Sequence, residues 1–417
     1  NAPPGIDRKP YRLATVNLLY NRQPWYKDWE TVPLGLSGDQ TKDQLNREYN
    51  AIDGATTLED RHTMKINLER SHRWNQFKSH HARLQKHLIQ MYYDGIVMDH
   101  KLAKYMAIDM RNDARKIEHA LSEGLNADVT VNSHVKMKHI LYDVLKLPPQ
   151  YNVDPITRQR VVTVDDDALI ALFLETQNPI PLKVRDAKEL YKLASFLDPQ
   201  GKSAQNKRRT WDGRMRTEYR PTLKTFRLGS SASTASGYGI NLQNIPARVR
   251  EVFVPEPGHI FLEPDYRQAE AIYLVHDAQW VEMMHNFSLM VANPKSFDMH
   301  WFVAEIIMAQ TRDKLTKQDR QADKHVHFAT WYDMYPKKLQ ETILKLAEDA
   351  DGKPMYIPLD ECKVRQDRLK TAAPFMKQWQ DEIVEQLNST GCLYNPFGFR
   401  VQYHEIVHEP ELRFIFG

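Results

Sequence analysis

From Arg83 onward the apolar residues recur at the spacing of three and four that an α-helix imposes, and one long interruption, residues 199–265, breaks that rhythm. Leu84, Leu88, Met91 and Tyr92 share a face before Asp94-Gly95 closes the turn. Met137, Ile140, Leu141, Val144 and Leu145 follow a good helix start at Asn132-Ser133 and stop at Pro148-Pro149. Residues 185–197 predict a further helix that ends near Asp198-Pro199, and helical character returns over 267–350 and 361–389. Within the interruption, Val252-Phe253-Val254 and Ile260-Phe261-Leu262 predict short strands. The first 80 or so residues read as irregular and polar, broken by Pro10, Pro24 and Pro33. The expected layout is a helical block, a small mixed α/β block and a second helical block, an α+β multidomain architecture. A chain of 417 residues is too long for one core, which agrees.

No run of about 18 apolar residues occurs, so no membrane-spanning helix is expected. The polar, Pro-rich Asn1–Arg12 lacks the apolar stretch of a secretory signal, and the absence of an initiator Met suggests residues upstream. Cys362 and Cys392 are the only cysteines; they fit a reducing cytoplasm and cannot build a zinc cluster. A net charge of +3 decides nothing, but its distribution does. Between Lys202 and Arg227 nine cations face only Asp212 and Glu218 over 26 residues, with Trp211, Tyr219 and Phe226 interleaved. That pattern suits either a solvated loop or a surface that tracks a nucleic-acid backbone by releasing its counterions.

The segments downstream of the basic stretch favour the second reading. Thr225-Phe226-Arg227-Leu228-Gly229-Ser230-Ser231 leads to Asn241-Leu242-Gln243-Asn244-Ile245-Pro246, and then to Asp265-Tyr266-Arg267-Gln268-Ala269-Glu270. Taken alone, Asp265 is a turn residue at the end of an apolar run. Taken together, these segments resemble the start of the palm of a family A DNA polymerase. Phosphoryl transfer needs divalent metal, and hard cations want carboxylate oxygens. The resemblance implies that Asp265 binds two Mg2+ ions, with Mn2+ an alternative, and that the Tyr266 carbonyl assists one. It places Glu270 as a steric gate against the ribose 2′-hydroxyl, the group by which a protein tells the two sugars apart.

Arg320, Lys324, Phe328 and Tyr332 recur every four residues, along one helical face. Surface cations with buried aromatics are common on helices, yet here Asp298-Met299-His300 precedes them as the family's D-x-H. The segment resembles the fingers helix on which Arg and Lys grip the triphosphate and Phe stacks on the base, with Tyr332 beside the template and Gln268 and His300 also at the nucleotide. Arg214, Arg216, Arg227, Asn241, Gln243, Asn244 and Arg400 are the corresponding DNA contacts, Arg400 within Asn395-Pro396-Phe397-Gly398-Phe399-Arg400. Departures are visible: Ala329 and Asp333 stand where the family usually has Gly, His327 where it has Asn, and Arg267 and Ile272 where it has Ser and Arg. They leave the class intact and fit a phage-like or otherwise divergent enzyme. His325-Val-His327 lacks a third ligand nearby and is not read as a zinc pair.

Tyr93-Asp94-Gly95-Ile96-Val97-Met98-Asp99 and the Asn132-Ser133 helix resemble the thumb, and Arg214-Met215-Arg216-Thr217 the entry to the palm. Tyr49 and Asp53 match the last motif of a 3′–5′ exonuclease domain, but Asp28-Trp29-Glu30 lies too close to be its partner. The family's second carboxylate turn is expected beyond the chain end. Val275-His276-Asp277-Ala278 imitates it, but twelve residues along a continuing helix put Asp277 roughly 18 Å from Asp265, and ions in a two-metal site lie about 4 Å apart. Glu411 and Asp381 are no better candidates.

The expected fold is therefore a right hand: exonuclease remnant 1–84, helical thumb 85–205, mixed α/β palm 206–290, helical fingers 291–392 and a palm return from 393. The expected reaction is templated addition of dNTPs to a primer 3′-hydroxyl, in the cytoplasm, with primer–template DNA and dNTPs as partners and no assignable processivity factor. The alternatives are a non-catalytic DNA-binding relative and a single-subunit RNA polymerase.

Overall fold

The computed structural model describes residues 40–154, 159–198, 212–221, 227–233, 238–293, 296–350, 352–395 and 398–402. The basic Lys202–Arg209 stretch, Trp211, Lys224, Thr225-Phe226, Asp28-Trp29-Glu30, Pro396-Phe397 and Glu411 lie outside them. The chain divides into two compact units, residues 1–94 with 219–222, and 95–218 with 223–417.

In the first unit the structure corrects the reading of an irregular N-terminal region, because Gln40–Arg70 is one helix, α1. It has no Pro, and its many Glu, Arg, Lys, Gln, Leu and Ala outweigh Gly54 and four Thr, but its apolar residues draw no clear stripe, so propensity carried the helix where periodicity was silent. Tyr49 and Asp53 both sit on it. Short helical turns over 74–81 follow, with Lys65 and Lys78 over the Trp74 ring at 5.6 and 5.8 Å. Helix α2, Ala82–Asp94, ends as the Asp94-Gly95 turn predicts.

The second unit contains two hydrophobic cores. One runs from Met98 to Val252 and is built on α3 (His100–Leu125), α4 (Asp166–Thr176) and α5 (Ile180–Leu197). Gly95 starts it at φ +59, where a Cβ would meet Arg216 Cγ and the Met215 carbonyl at 2.9 Å; only glycine fits that approach. Asp99 caps α3 by accepting from Lys101 and Leu102 N–H at 2.9 Å. Ser133 caps the predicted helix at Lys136 N–H, and that helix widens into a π-turn over His139–Val144. Tyr151–Val153 (β1) and Arg160–Val162 (β2) form an antiparallel ribbon, with Tyr151 opposite Val162.

The other core runs from Ala271 to Met376. It contains α6 (Ala269–Asp277), α7 (Val281–Ala292), α8 (Met299–Met308), α9 (Lys317–Trp331), α10 (Pro336–Leu346), α11 (Leu359–Ala372) and α12 (Phe375–Thr390). Cys392–Tyr394 (β3) pairs antiparallel with Arg400–Gln402 (β4).

The predicted strands between 250 and 265 do not form. Residues Ala247–Val252 make a 3-10 helix whose Val249 and Val252 are buried, and Phe253 makes only a single bridge to Met98. Ile260, Phe261 and Leu262 are 78%, 56% and 80% exposed and non-helical. Apolar side chains favour a strand only where a neighbour supplies ladder hydrogen bonds, and no described strand lies against them. Asp265 therefore follows an irregular, exposed segment rather than a strand, and the helix after it begins at Ala269. Among the described residues no helix is long and apolar enough to cross a membrane.

Candidate nucleotide-binding site

The site is organised around α9. Thr316 opens the helix with a reciprocal capping box: its Oγ1 accepts from Asp319 N–H at 3.1 Å, and the Asp319 carboxylate accepts from Thr316 N–H at 2.9 Å. Ala322, Asp323, Val326, His327, Ala329, Thr330 and Trp331 are buried. Arg320, Lys324 and Phe328, at spacings of four, are only partly covered, and Tyr332 follows at the C-cap, 58% exposed. The sequence spacing thus becomes one open face backed by core.

Asp298 ties the start of α8 to this face. Its carboxylate caps α8 at His300 N–H (3.0 Å) and accepts from Arg320 NH2 at 2.8 Å. Burial opposes its ionisation, but the bond and charge of Arg320 outweigh that and hold the carboxyl below its ordinary value. His300 is buried 5.7 Å from the Phe328 ring and 5.8 Å from His327. Burial, with Arg320 nearby, lowers the His300 imidazole to about 4; burial, with His300 nearby, lowers His327 to about 3. Both are neutral at pH 7. Trp331 Nε1 donates to His327 Nε2 at 2.8 Å, so the His327 proton sits on Nδ1. His300 and His327 both pack around the Phe328 ring, at 5.7 and 5.3 Å.

Across from α9, the turn before α6 holds Gln268 in the left-handed region at φ +53, where its Oε1 accepts from Met299 N–H at 3.0 Å. Glu270 lies on the first turn of α6 and accepts from the Tyr332 hydroxyl. Partial burial and that bond push the Tyr332 phenol up to about 12. Arg227 approaches the Glu270 carboxylate at 3.8 Å. The structure thereby joins Glu270, Gln268, Asp298, His300, Arg320, Phe328 and Tyr332, drawn from three separate stretches of sequence.

Asp265 and Tyr266 are both exposed, Tyr266 by 88%. The Asp265 carboxylate and Tyr266 carbonyl are hard oxygen donors of the kind a divalent cation takes. Among the described residues, however, no group of three or more carboxylate, imidazole or thiol ligands comes together. Asp277 adds nothing to these two donors: its Oδ2 accepts from Trp379 Nε1 at 2.9 Å at the far end of α6.

The proposed DNA contacts fall in different settings. Asn241, Gln243 and Asn244 are exposed, and Asn241 Oδ1 holds Gln243 N–H at 3.0 Å in a local turn. Arg227 is 75% exposed. Arg214 pairs with Glu256, and Arg400 donates to Cys392 Sγ at 3.0 and 3.1 Å. Arg216 is 7% exposed and forks onto both Asp212 oxygens at 2.7 and 2.6 Å, so its guanidinium is internal and it serves the architecture.

A family model described as DNA polymerase family A matches residues 100–413. The chain belongs to DNA polymerase family A. Among relatives of this family, DNA polymerase I of Aquifex aeolicus (strain VF5) is 27% identical over 237 residues, 57% of this chain and 37% of that protein. DNA polymerase I of Treponema pallidum (strain Nichols) is 22% identical over 378 residues, 89% of this chain and 34% of that protein. This chain thus spans about a third of the length of these family A relatives. The POL domain of Pol1 from M. smegmatis, in complex with DNA primer-template and dNTP, superposes with a TM-score of 0.70 at 20% identity. It covers 97% of this chain and 63% of that one. The fold is therefore the family A right hand.

One buried ion pair of the site was not foreseen. Asp323 and Arg365, 42 residues apart, meet at 2.8 Å behind α9. A lone Asp among Arg and Lys on a helix reads as surface, and nothing in sequence pairs it with an Arg so distant.

Proposed function

We propose that this chain is the polymerase portion of a template-directed DNA polymerase that adds dNTPs to a primer 3′-hydroxyl. The observation that carries the proposal is the open face of α9. Its Arg320 and Lys324 offer cationic donors to a triphosphate, its Phe328 offers a ring to a base, and its Tyr332 is held by Glu270. Arg320 binds as a planar fork and Lys324 as a point charge, the usual division of labour on phosphates. Glu270, anchored by the Tyr332 hydroxyl, is the residue that would crowd a ribose 2′-hydroxyl and so select deoxynucleotides. The primer oxygen attacks the α-phosphate and pyrophosphate leaves. Two Mg2+ ions, when bound, supply charge neutralisation at the transferring phosphoryl group, and Asp265 and the Tyr266 carbonyl are the residues of this chain that would hold them. The bound DNA primer-template and dNTP of the mycobacterial Pol1 domain support the choice of partners. So does the basic excess over Lys202–Arg227.

In this reading the thumb spans 85–205, the palm 206–290, the fingers 291–392 and the palm return begins at 393. Residues 1–84 are an exonuclease remnant carrying Tyr49 and Asp53, and the enzyme works in the cytoplasm. The test is primer extension by the full-length protein with Mg2+ and either dNTPs or rNTPs, beside Asp265→Ala. Extension with dNTPs that the variant abolishes is expected. Intact primer–template binding without extension would instead mark a non-catalytic relative, and preference for rNTPs a single-subunit RNA polymerase.

A further inference from the structure

Behind the open face of α9 lies a charged contact that the reaction itself does not use. Asp323 is fully buried. Its Oδ1 accepts from Arg365 NH1 at 2.8 Å, while its Oδ2 has no hydrogen-bond partner among the described residues. Arg365, itself 8% exposed, also donates from Nε to Glu361 Oε1 at 2.9 Å, so α11 presents a braced guanidinium to the back of α9. Asp323 immediately precedes Lys324 and lies three residues after Arg320. Successive residues on a helix are about 100° apart, so whatever fixes the Asp323 side chain fixes the azimuth of its neighbours. An extended lysine head sits about 8 Å from the helix axis, and a turn of about 20° would displace it by about 3 Å. Apolar packing tolerates such a slide more readily than a directional, buried ion pair does.

We propose that Asp323 and Arg365 are positioning residues that lock the rotation of α9 and so set the reach of Arg320 and Lys324 toward the triphosphate. The proposal rests on the reading of α9 as the nucleotide-binding helix. The lock is strongest when Asp323 is ionised. Burial pushes Asp323 up to about 7, against the pull of Arg365 and with Asp319 and Glu361 adding to the rise. The charged groups acting on it are therefore Arg365 and Glu361 from α11 and Asp319 from its own helix. Among the other elements packed on α9, α8 directs Asp298 to Arg320 and His300 to Phe328, and α10 adds Leu339 and Ile343 to the shared core.

The sign of the linkage separates positioning from mere stability. Because the folded-state value lies above the ordinary 3.8, the native chain holds this proton where the unfolded chain has lost it. Asp323's contribution to stability is then greatest at low pH and is lost as pH rises toward about 7. The lock moves the opposite way, because the charge on Asp323 appears only as pH rises.

The experiment uses the full-length protein in single-nucleotide incorporation on a primer–template, measuring KM for the dNTP from pH 6 to 8.5 in wild type, D323N and K324A, with melting curves alongside. The D323N-to-wild-type KM ratio should lie near one at pH 6 and climb to about ten at pH 8.5, the scale on which small misplacements act. Over the same range the melting temperature of wild type should fall relative to D323N. Should D323N fail to fold, D323L/R365M replaces the pair with apolar side chains that such sites accept, and its KM ratio to wild type should show the same climb. A ratio that stays constant with pH, or one that falls as wild type loses stability relative to D323N, overturns the lock. A K324A variant with unchanged KM would instead overturn the reading of α9 on which the lock rests.

Discussion

At the scale of single residues, the site is set by how burial treats each ionisable group. His300 and His327 are kept neutral inside the core, and Asp298 is kept charged by Arg320. His327 titrates at about 3 instead of 6.5, so the unfolded chain takes up its proton first as the solution is acidified. Stability from His327 is therefore fully present above pH 6.5 and is lost as pH falls toward 3. Asp323 acts in the opposite sense, so the comparison must be with a variant. Wild type should lose about 2 kcal/mol relative to His327→Gln between pH 7.5 and pH 5, read from denaturant melts. Glu270→Ala should raise ribonucleotide incorporation relative to deoxynucleotide by about 10- to 100-fold, since it removes a steric and polar discriminator; competition assays with both nucleotides check this. The shared α9 face of Arg320, Lys324 and Phe328 was legible in the sequence because its fourfold spacing is local. Asp323–Arg365 and the internal Arg216–Asp212 fork were not, because burial of a charge depends on partners that only the folded chain brings together.

At the scale of elements, α9 was readable from its fourfold spacing, and its capping box makes it a well-bounded helix. Thr316→Ala should cost about 1 kcal/mol, the usual effect of losing such a cap, and lower the melting temperature without changing the chemistry of bound nucleotide. The turn after α9 explains a departure noted in the sequence. Asp333 adopts φ +48, the left-handed conformation that glycine favours, and Lys370 and Lys377 approach its carboxylate at 3.6 and 3.9 Å. Asp tolerates this region through its short polar side chain, so the fold survives the loss of the glycine. Asp333→Val should cost about 1–2 kcal/mol, whereas Asp333→Gly should be near neutral; thermal melts of the two variants decide. The failures belong to this scale as well. Ile260–Leu262 has the composition of a strand without a ladder partner, and Gln40–Arg70 has helix propensity without an apolar stripe, so a pattern of burial misjudged both.

At the scale of the whole chain, the second unit carries two cores. Helix α4 meets α10 through Lys345, which pairs with Asp167 and lies 3.7 Å from Asp166, and Phe173 packs edge-on against Tyr356 at 5.9 Å. These are exposed ion pairs and one ring contact, worth little individually. Calorimetric unfolding should therefore depart from a single two-state transition, with a calorimetric enthalpy larger than the van't Hoff value. Helical blocks were legible at this scale because their periodicity extends over tens of residues. The division into cores was not, because it rests on which helices face each other.

On the proposed reading, α9 presents a triphosphate grip to an incoming deoxynucleotide. The most direct test is single-turnover incorporation of one dNTP on a primer–template by the full-length protein, comparing wild type with Arg320→Ala and Lys324→Ala. Each variant should weaken transition-state stabilisation by about 2–4 kcal/mol, a drop of about 30- to 1,000-fold in the specificity constant, with primer–template affinity unchanged. Incorporation at wild-type efficiency in both variants would rule out α9 as the triphosphate grip.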